Sequence, residues 1–223
     1  MPLRQLIVLC VLLGALILGW LRWREVRLRE QPTETSGPVV NKEPVNFATR
    51  TFDPSAPPAD MPPLNSGETA ECDSNFLSSA SVGGETRPTD ATHGTVTITR
   101  IKVTLQLNIT IWVPAGATEH VSEHEEGHRQ ISEFYYQTAD QVAARIAANY
   151  MGKQAEVAGA NLDAESTKWM QQMASEINEK YNNELNPEPT QLLYDTITDH
   201  ARNGVAARDA VNHALKNASI EAN

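Results

Sequence analysis

The chain has 223 residues, 18 Lys and Arg against 28 Asp and Glu, and a formal net charge of −10 at pH 7. A chain this acidic repels phosphate backbones, which excludes nucleic acid as a partner. Two cysteines exclude a disulfide scaffold, and with only Cys72 beyond the apolar N-terminus no bridge can form within the folded part.

Leu6 to Leu21 is apolar throughout apart from Gly14 and Gly19, with Arg4 before it and Trp23, Arg22, Arg24, Arg27 and Arg29 around or after its end. Residues 1–30 therefore read as an N-terminal membrane helix. Ile17, two residues before Gly19, makes a poor cleavage site, so an uncleaved anchor is expected; Cys10 has no lipobox around it. The arginine cluster alone would place the rest of the chain in the cytoplasm, whereas the signal-like character of the N-terminus points outward.

Residues 31–66 are rich in Pro, Ser, Thr and Asn, with Pro57-Pro58 and Pro62-Pro63, and are expected to form a disordered tether. The remaining segment, 67–223, is one domain, large enough for a single core. Val96 and Ile98 alternate with threonines; the phase then slips near Thr99 and Arg100. Ile101, Val103, Leu105, Leu107, Ile109, Ile111 and Val113 follow at every second position, the pattern of a half-buried antiparallel strand. The slip predicts a bulge or a tight turn.

Pro114 ends the strand, and Thr118 is placed to cap a helix running to about Tyr150. Val121, His124, His128, Ile131, Tyr135, Thr138 and Val142 are spaced as its inward stripe. A second helix from about Ala164 turns Trp169, Met173, Ile177 and Tyr181 inward and stops at Asn186-Pro187. A short element with Leu192, Leu193 and Ile197, a loop from Asp199 to Gly204 and a last amphipathic helix with Val205, Val211 and Leu215 complete the chain. The expected class is α+β: a small antiparallel sheet followed by a helical subdomain.

Residues 124–128 read His-Glu-Glu-Gly-His, an H-E-x-x-H motif. Its chance occurrence in a chain of this composition is on the order of one percent. Four residues apart on a helix, His124 and His128 leave the same face, where neutral imidazoles can hold one Zn²⁺. Glu125 is then beside the metal rather than on it, the place of a general base toward water. Two imidazoles on a buried stripe also need partners, and a cation satisfies both. Gly127 can permit close packing against the motif, and Arg129 reads as a surface ion-pair residue.

A catalytic zinc needs a third protein ligand. Ile131 and Phe134 stand where a metzincin continuation requires Gly and His, so that route fails. The candidates are His120, His200, His213 and carboxylates such as Glu133, Asp163, Glu165 and Glu176. His120 sits at the helix start and reads as solvated. His200, in a loop after a short apolar element, is better placed, and Asp195 and Asp199 read either as orienters of a ligand imidazole or as turn and cap residues.

The strand, the His-Glu-Glu-Gly-His-Arg helix and the later Tyr194-Asp195-x-x-Thr198-x-His200 stretch resemble the bacterial family called domain of unknown function 922, regarded as secreted zinc-dependent proteases. The likeness covers roughly residues 67–210 by motif order and spacing. It implies a zincin-like fold, His124, His128 and His200 as zinc ligands, Glu125 as the catalytic carboxylate, and Tyr194 as a hydrogen-bond donor to the oxyanion. It also implies a single-pass protein of the bacterial inner membrane with the catalytic domain facing the periplasm or exterior. Ala201 stands where that family commonly has Gly after the last histidine.

The expected reaction is hydrolysis of a peptide or protein substrate by Glu125-activated, zinc-bound water. By analogy with zincins, the strand from Ile101 to Val113 is expected to pair with extended substrate. The competing readings are a non-catalytic zinc-binding envelope protein acting as an interaction module and a metal-free interaction domain.

Overall fold

The computed structural model describes residues 37–65 and 67–221. The membrane helix expected over 1–30 lies outside them. Among the described residues, no helix is long and apolar enough to cross a membrane.

The organising element is β4 (His93–Pro114), 22 residues long. Its alternating side chains Ile101, Val103, Leu105, Leu107 and Ile109 are all at most 3% exposed. Fully burying each such side chain contributes about 1.5–3 kcal/mol, which fixes the register of the strand. Along one edge β4 pairs antiparallel with β3 (Glu71–Pro88) over its whole length. Gly83 faces Arg100 and Gly84 faces Ile98, so Thr99 is the extra residue of a bulge. Bulge and slip coincide, and β4 passes through without breaking. A β-carbon on Gly84 would stand 2.4 Å from the Thr97 carbonyl oxygen, so only glycine fits there.

The other edge of β4 is covered piecewise. β5 (Gln154–Ala158) pairs antiparallel with Thr97 to His93, β1 (Val39–Lys42) parallel with Lys102 to Leu105, and β2 (Asn46–Phe52) parallel with Asn108 to Pro114. The result is a five-stranded mixed sheet, which corrects the small antiparallel sheet expected from the sequence. It also corrects the start of the domain, since two strands come from the stretch read as a tether. Nor are the helices a separate subdomain after the sheet, because β5 returns between them.

Among the described residues there are five helices: α1 (Glu119–Gln137), α2 (Ala139–Ala148), α3 (Leu162–Glu184), α4 (Glu188–Thr198) and α5 (Ala207–Glu221). The single helix expected to Tyr150 breaks at Thr138. Lys42 of β1 donates to the carbonyls of Tyr136 and Gln137 at 3.0 and 2.7 Å and pairs with Asp140, satisfying groups that the break sets free. One core joins the apolar face of β3 and β4 to the end of α1, to α2 and to α3 through Tyr136, Ile146, Ile177 and Tyr181. A second, smaller one joins α1, α4 and α5 through Ile131, Tyr194, Val211 and Ala214. The motif helix thus lies between the two cores.

Candidate metal centre

Thr118 caps α1, its hydroxyl accepting from the Val121 amide. The buried stripe of α1 includes His124, Glu125, Gly127, Ile131, Ser132 and Tyr136, wider than the periodic residues alone. Across from it stands α4, which presents Gln191, Tyr194, Asp195 and Thr198 at helical spacing.

His124 Nε2 and His128 Nε2 are 3.2 Å apart. Asp195 Oδ1 is 2.9 Å from His128 Nε2 and 3.3 Å from His124 Nε2. It nonetheless has no hydrogen-bond partner among the described residues, because its angles to the rings do not suit one. The three atoms converge: the two Nε2 atoms are within hydrogen-bond distance of each other, and Oδ1 bonds neither. On a tetrahedral ion with bonds of about 2.0–2.2 Å, ligand atoms lie about 3.3 Å apart, and these three atoms could hold a metal ion.

The neighbours fix that orientation. His128 Nδ1 lies 2.6 Å from Gln191 Oε1, which accepts its proton and leaves Nε2 with the lone pair. Gln191 in turn donates to the His128 carbonyl at 3.1 Å and to Ser132 Oγ at 3.0 Å, which settles its amide orientation. The Tyr194 ring stacks on His124, with centroids 5.0 Å apart, and meets His128 edge-on at 4.8 Å. The absence of a side chain on Gly127 gives Tyr194 its place, since a β-carbon there would stand 2.2 Å from the phenol oxygen.

Tyr194 corrects the sequence reading. Its hydroxyl donates to the His124 carbonyl at 3.0 Å and its side chain is fully buried, so it packs behind the histidines instead of facing an oxyanion. His200 is also displaced from its expected role. Its Nδ1 groups with Asp195 and Glu68, while the third member of the motif histidines' own group is Asp195. His120 is not a solvated bystander: its Nε2 lies 2.9 Å from the Asn203 carbonyl and ties the start of α1 to the loop bearing His200. In that loop Asp199, His200 and Ala201 have φ of 48°, 52° and 62°. Ala201 therefore holds a left-handed conformation that Gly would adopt without strain.

A cavity of about 520 Å³ opens over these atoms, lined by Glu68, Glu71, Cys72, His124, Glu125, His128 and Asp195, among others. Burial pushes the Glu125 carboxyl up to about 8, with Glu71, Glu68 and Asp195 adding to the rise and His128 opposing it. Burial, then Glu68, pushes Glu71 up to about 7. Burial also disfavours the Asp195 anion, but the two imidazoles beside it outweigh that and hold its carboxyl well below the usual range. Burial lowers His124, while Asp195 overrides burial and raises His128. Cys72 is half-buried, and desolvation pushes its thiol up to about 12, which disfavours the thiolate.

The sequence marks Asp195 only as an orienting or turn residue and does not mark Gln191, Glu68 or Glu71. For Asp195 and Gln191 a signal existed: positions 191, 194, 195 and 198 form one face of a helix. No family model, curated protein or solved structure matches the chain.

Proposed function

We propose that the protein is a zinc-dependent peptidase in which His124, His128 and Asp195 hold the metal and Glu125 moves the proton. The observation that carries this reading is the triangle of Nε2, Nε2 and Oδ1 atoms at 3.2, 2.9 and 3.3 Å. Two imidazoles and a carboxylate with an open side make a hydrolytic zinc set, whereas a structural site closes all four positions. Bound there, Zn²⁺ would supply a Lewis acid that polarises a scissile carbonyl and makes hydroxide available near neutral pH.

The chain's own residues divide the remaining work. Glu125 lines the same cavity without belonging to the metal group, so it can take a proton from water and return it to a departing amine. With a dication held by His124, His128 and Asp195, the Glu125 carboxyl would be drawn back down and could serve as a base. Gln191 holds the His128 tautomer and Tyr194 holds the His124 ring plane. β4 cannot take substrate, because both its edges are occupied; the strand lining the cavity is β3, from Glu71 to Ser74 and again at Phe76.

The substrate class that suits this chemistry is a peptide or protein. The apolar run at 6–21 would tether the enzyme to the bacterial inner membrane with this domain outside the cytoplasm, as the family resemblance implies. Glu125→Gln is the test: zinc stoichiometry stays at the wild-type value while hydrolysis of a peptide library is lost. Cleavage by that variant at the wild-type rate removes Glu125 from the chemistry. Unaltered zinc binding with no cleavage by either protein favours the interaction module.

A further inference from the structure

We infer that a second divalent cation binds at the edge of the cavity, held by Glu68, Asp195 and His200, with Asp195 shared between the two metal positions; this rests on the zinc site proposed above. His200 Nδ1 lies 3.5 Å from Glu68 Oε1 and 3.7 Å from Asp195 Oδ1. Neither contact is a hydrogen bond, and Nδ1 is enclosed with no hydrogen-bond partner among the described residues. The three ligand atoms lie within 4.8 Å of one another, and ligands of one cation with bonds of about 2.0–2.2 Å stand roughly 3.0–3.5 Å apart, so a contraction of this triangle onto an ion completes the site.

Each arm is held from outside the triangle. The Asn65 amide donates to Glu68 Oε2 at 3.1 Å, which leaves Oε1 to face His200. The His200 loop is tied at both ends: Asn203 Nδ2 donates to the Ile197 carbonyl at 2.9 Å, and His120 meets the Asn203 carbonyl. Arg202, on the same loop, grips Asp199 through its side chain at 2.7 Å and its carbonyl at 3.0 Å. Asp195 Oδ1 reaches toward both triangles, and no hydrogen bond competes for it.

Charge points the same way. Glu68, Glu71, Glu125 and Asp195 line one cavity with two neutral-capable imidazoles. The first site uses one of these carboxyl groups, so acidic donors remain for a second cation. One imidazole and two carboxylates form a set that Zn²⁺, Mn²⁺ or Co²⁺ accepts. Two cations sharing a carboxylate can act on opposite oxygens of one hydrolytic step.

The test is a Zn²⁺ titration of the full-length protein, stripped with chelator, by calorimetry with elemental analysis after desalting. Wild type is expected to bind two Zn²⁺ per chain; His200→Ala and Glu68→Gln each keep one, with the tighter Kd changed less than threefold. His128→Ala loses the tighter ion. One Zn²⁺ in wild type and one in His200→Ala overturns the inference, as does one in wild type and none in His200→Ala, which assigns His200 to the first metal. Two in wild type and in both second-site variants puts the second ion elsewhere and also overturns it. None in wild type removes the zinc reading itself, a distinct result.

Discussion

Gly127→Ala puts the packing of the motif helix to a direct test. At an exposed helix position this change stabilises by about 1 kcal/mol through propensity alone. Here the new β-carbon would meet the Tyr194 phenol oxygen at 2.2 Å and its ring carbon Cζ at 2.5 Å. The ring cannot yield easily, since Tyr194 is fully buried in a cluster with Ile131, Val211 and Ala214. Overpacking of this kind costs about 1–3 kcal/mol, and loss of the Tyr194 bond to the His124 carbonyl adds about 1 kcal/mol. After the helix gain, a net loss of about 1–3 kcal/mol is expected in urea unfolding of the chelated protein. Because the displaced ring is stacked on His124, zinc affinity is expected to fall at least tenfold as well. A variant as stable as wild type, or more so, with unchanged zinc affinity would refute the idea that this glycine makes room for the ring.

Tyr194→Phe removes only the hydroxyl bonded to the His124 carbonyl, so about 1–2 kcal/mol of stability is expected to go while peptide hydrolysis stays within about fivefold. A loss of activity of 10² or more would restore the phenol to the oxyanion. Gln191→Ala leaves His128 Nδ1 without its acceptor, and zinc affinity is expected to drop about 10- to 100-fold; calorimetric titration giving the wild-type Kd would contradict this. Glu71 has a folded-state pKa of about 7 against 4.5 unfolded, raised by burial first, so folding favours its protonated form. Its stabilising contribution is therefore full below pH 4.5 and is lost as pH rises through 7. The whole shift is worth about 3.4 kcal/mol; discounted for the solvent that reaches the group, Glu71→Gln is expected to exceed wild type by about 1–2 kcal/mol at pH 8 and to match it at pH 4.5. Urea midpoints of the chelated proteins differing equally at both pH values would remove Glu71 as the cause.

The elements that could be read from the sequence are those whose side chains carry the burial. β4 shows strict alternation because one of its faces is sealed by helices, and the bulge at Thr99 appears as the phase slip that keeps Ile98 and Ile101 both inside. β1 and β2 left no such trace. Nearly all of their residues are exposed apart from Phe52, and backbone pairing with the outer edge of β4 is what they contribute. Hydropathy cannot report a strand held by its peptide groups, and Pro and Thr nearby made the region resemble a tether. The parallel pairings were hidden for the same reason, since they belong to these two strands.

The site divides along a similar line. His124, Glu125 and His128 were legible because their chemistry needs one helix and a fixed spacing, and α1 supplies both. The helix face bearing Asp195 was legible but its role as a ligand was not, because a lone carboxylate acquires that meaning only when α4 crosses α1 and sets Oδ1 between the two Nε2 atoms. Tyr194 was noticed as a residue but given the wrong direction. Next to Asp195 on the same turn, it points away from the cavity into the space left by Gly127. The assignment of roles among Tyr194, Asp195 and His200 thus depends on the rotation of α4 about its axis. Burial of Tyr194 and Thr198 favours that rotation whether or not a metal is bound. The ligand geometry is then a product of hydrophobic packing behind the helix, so variants that loosen Tyr194 should weaken zinc even though none of its atoms faces the ion.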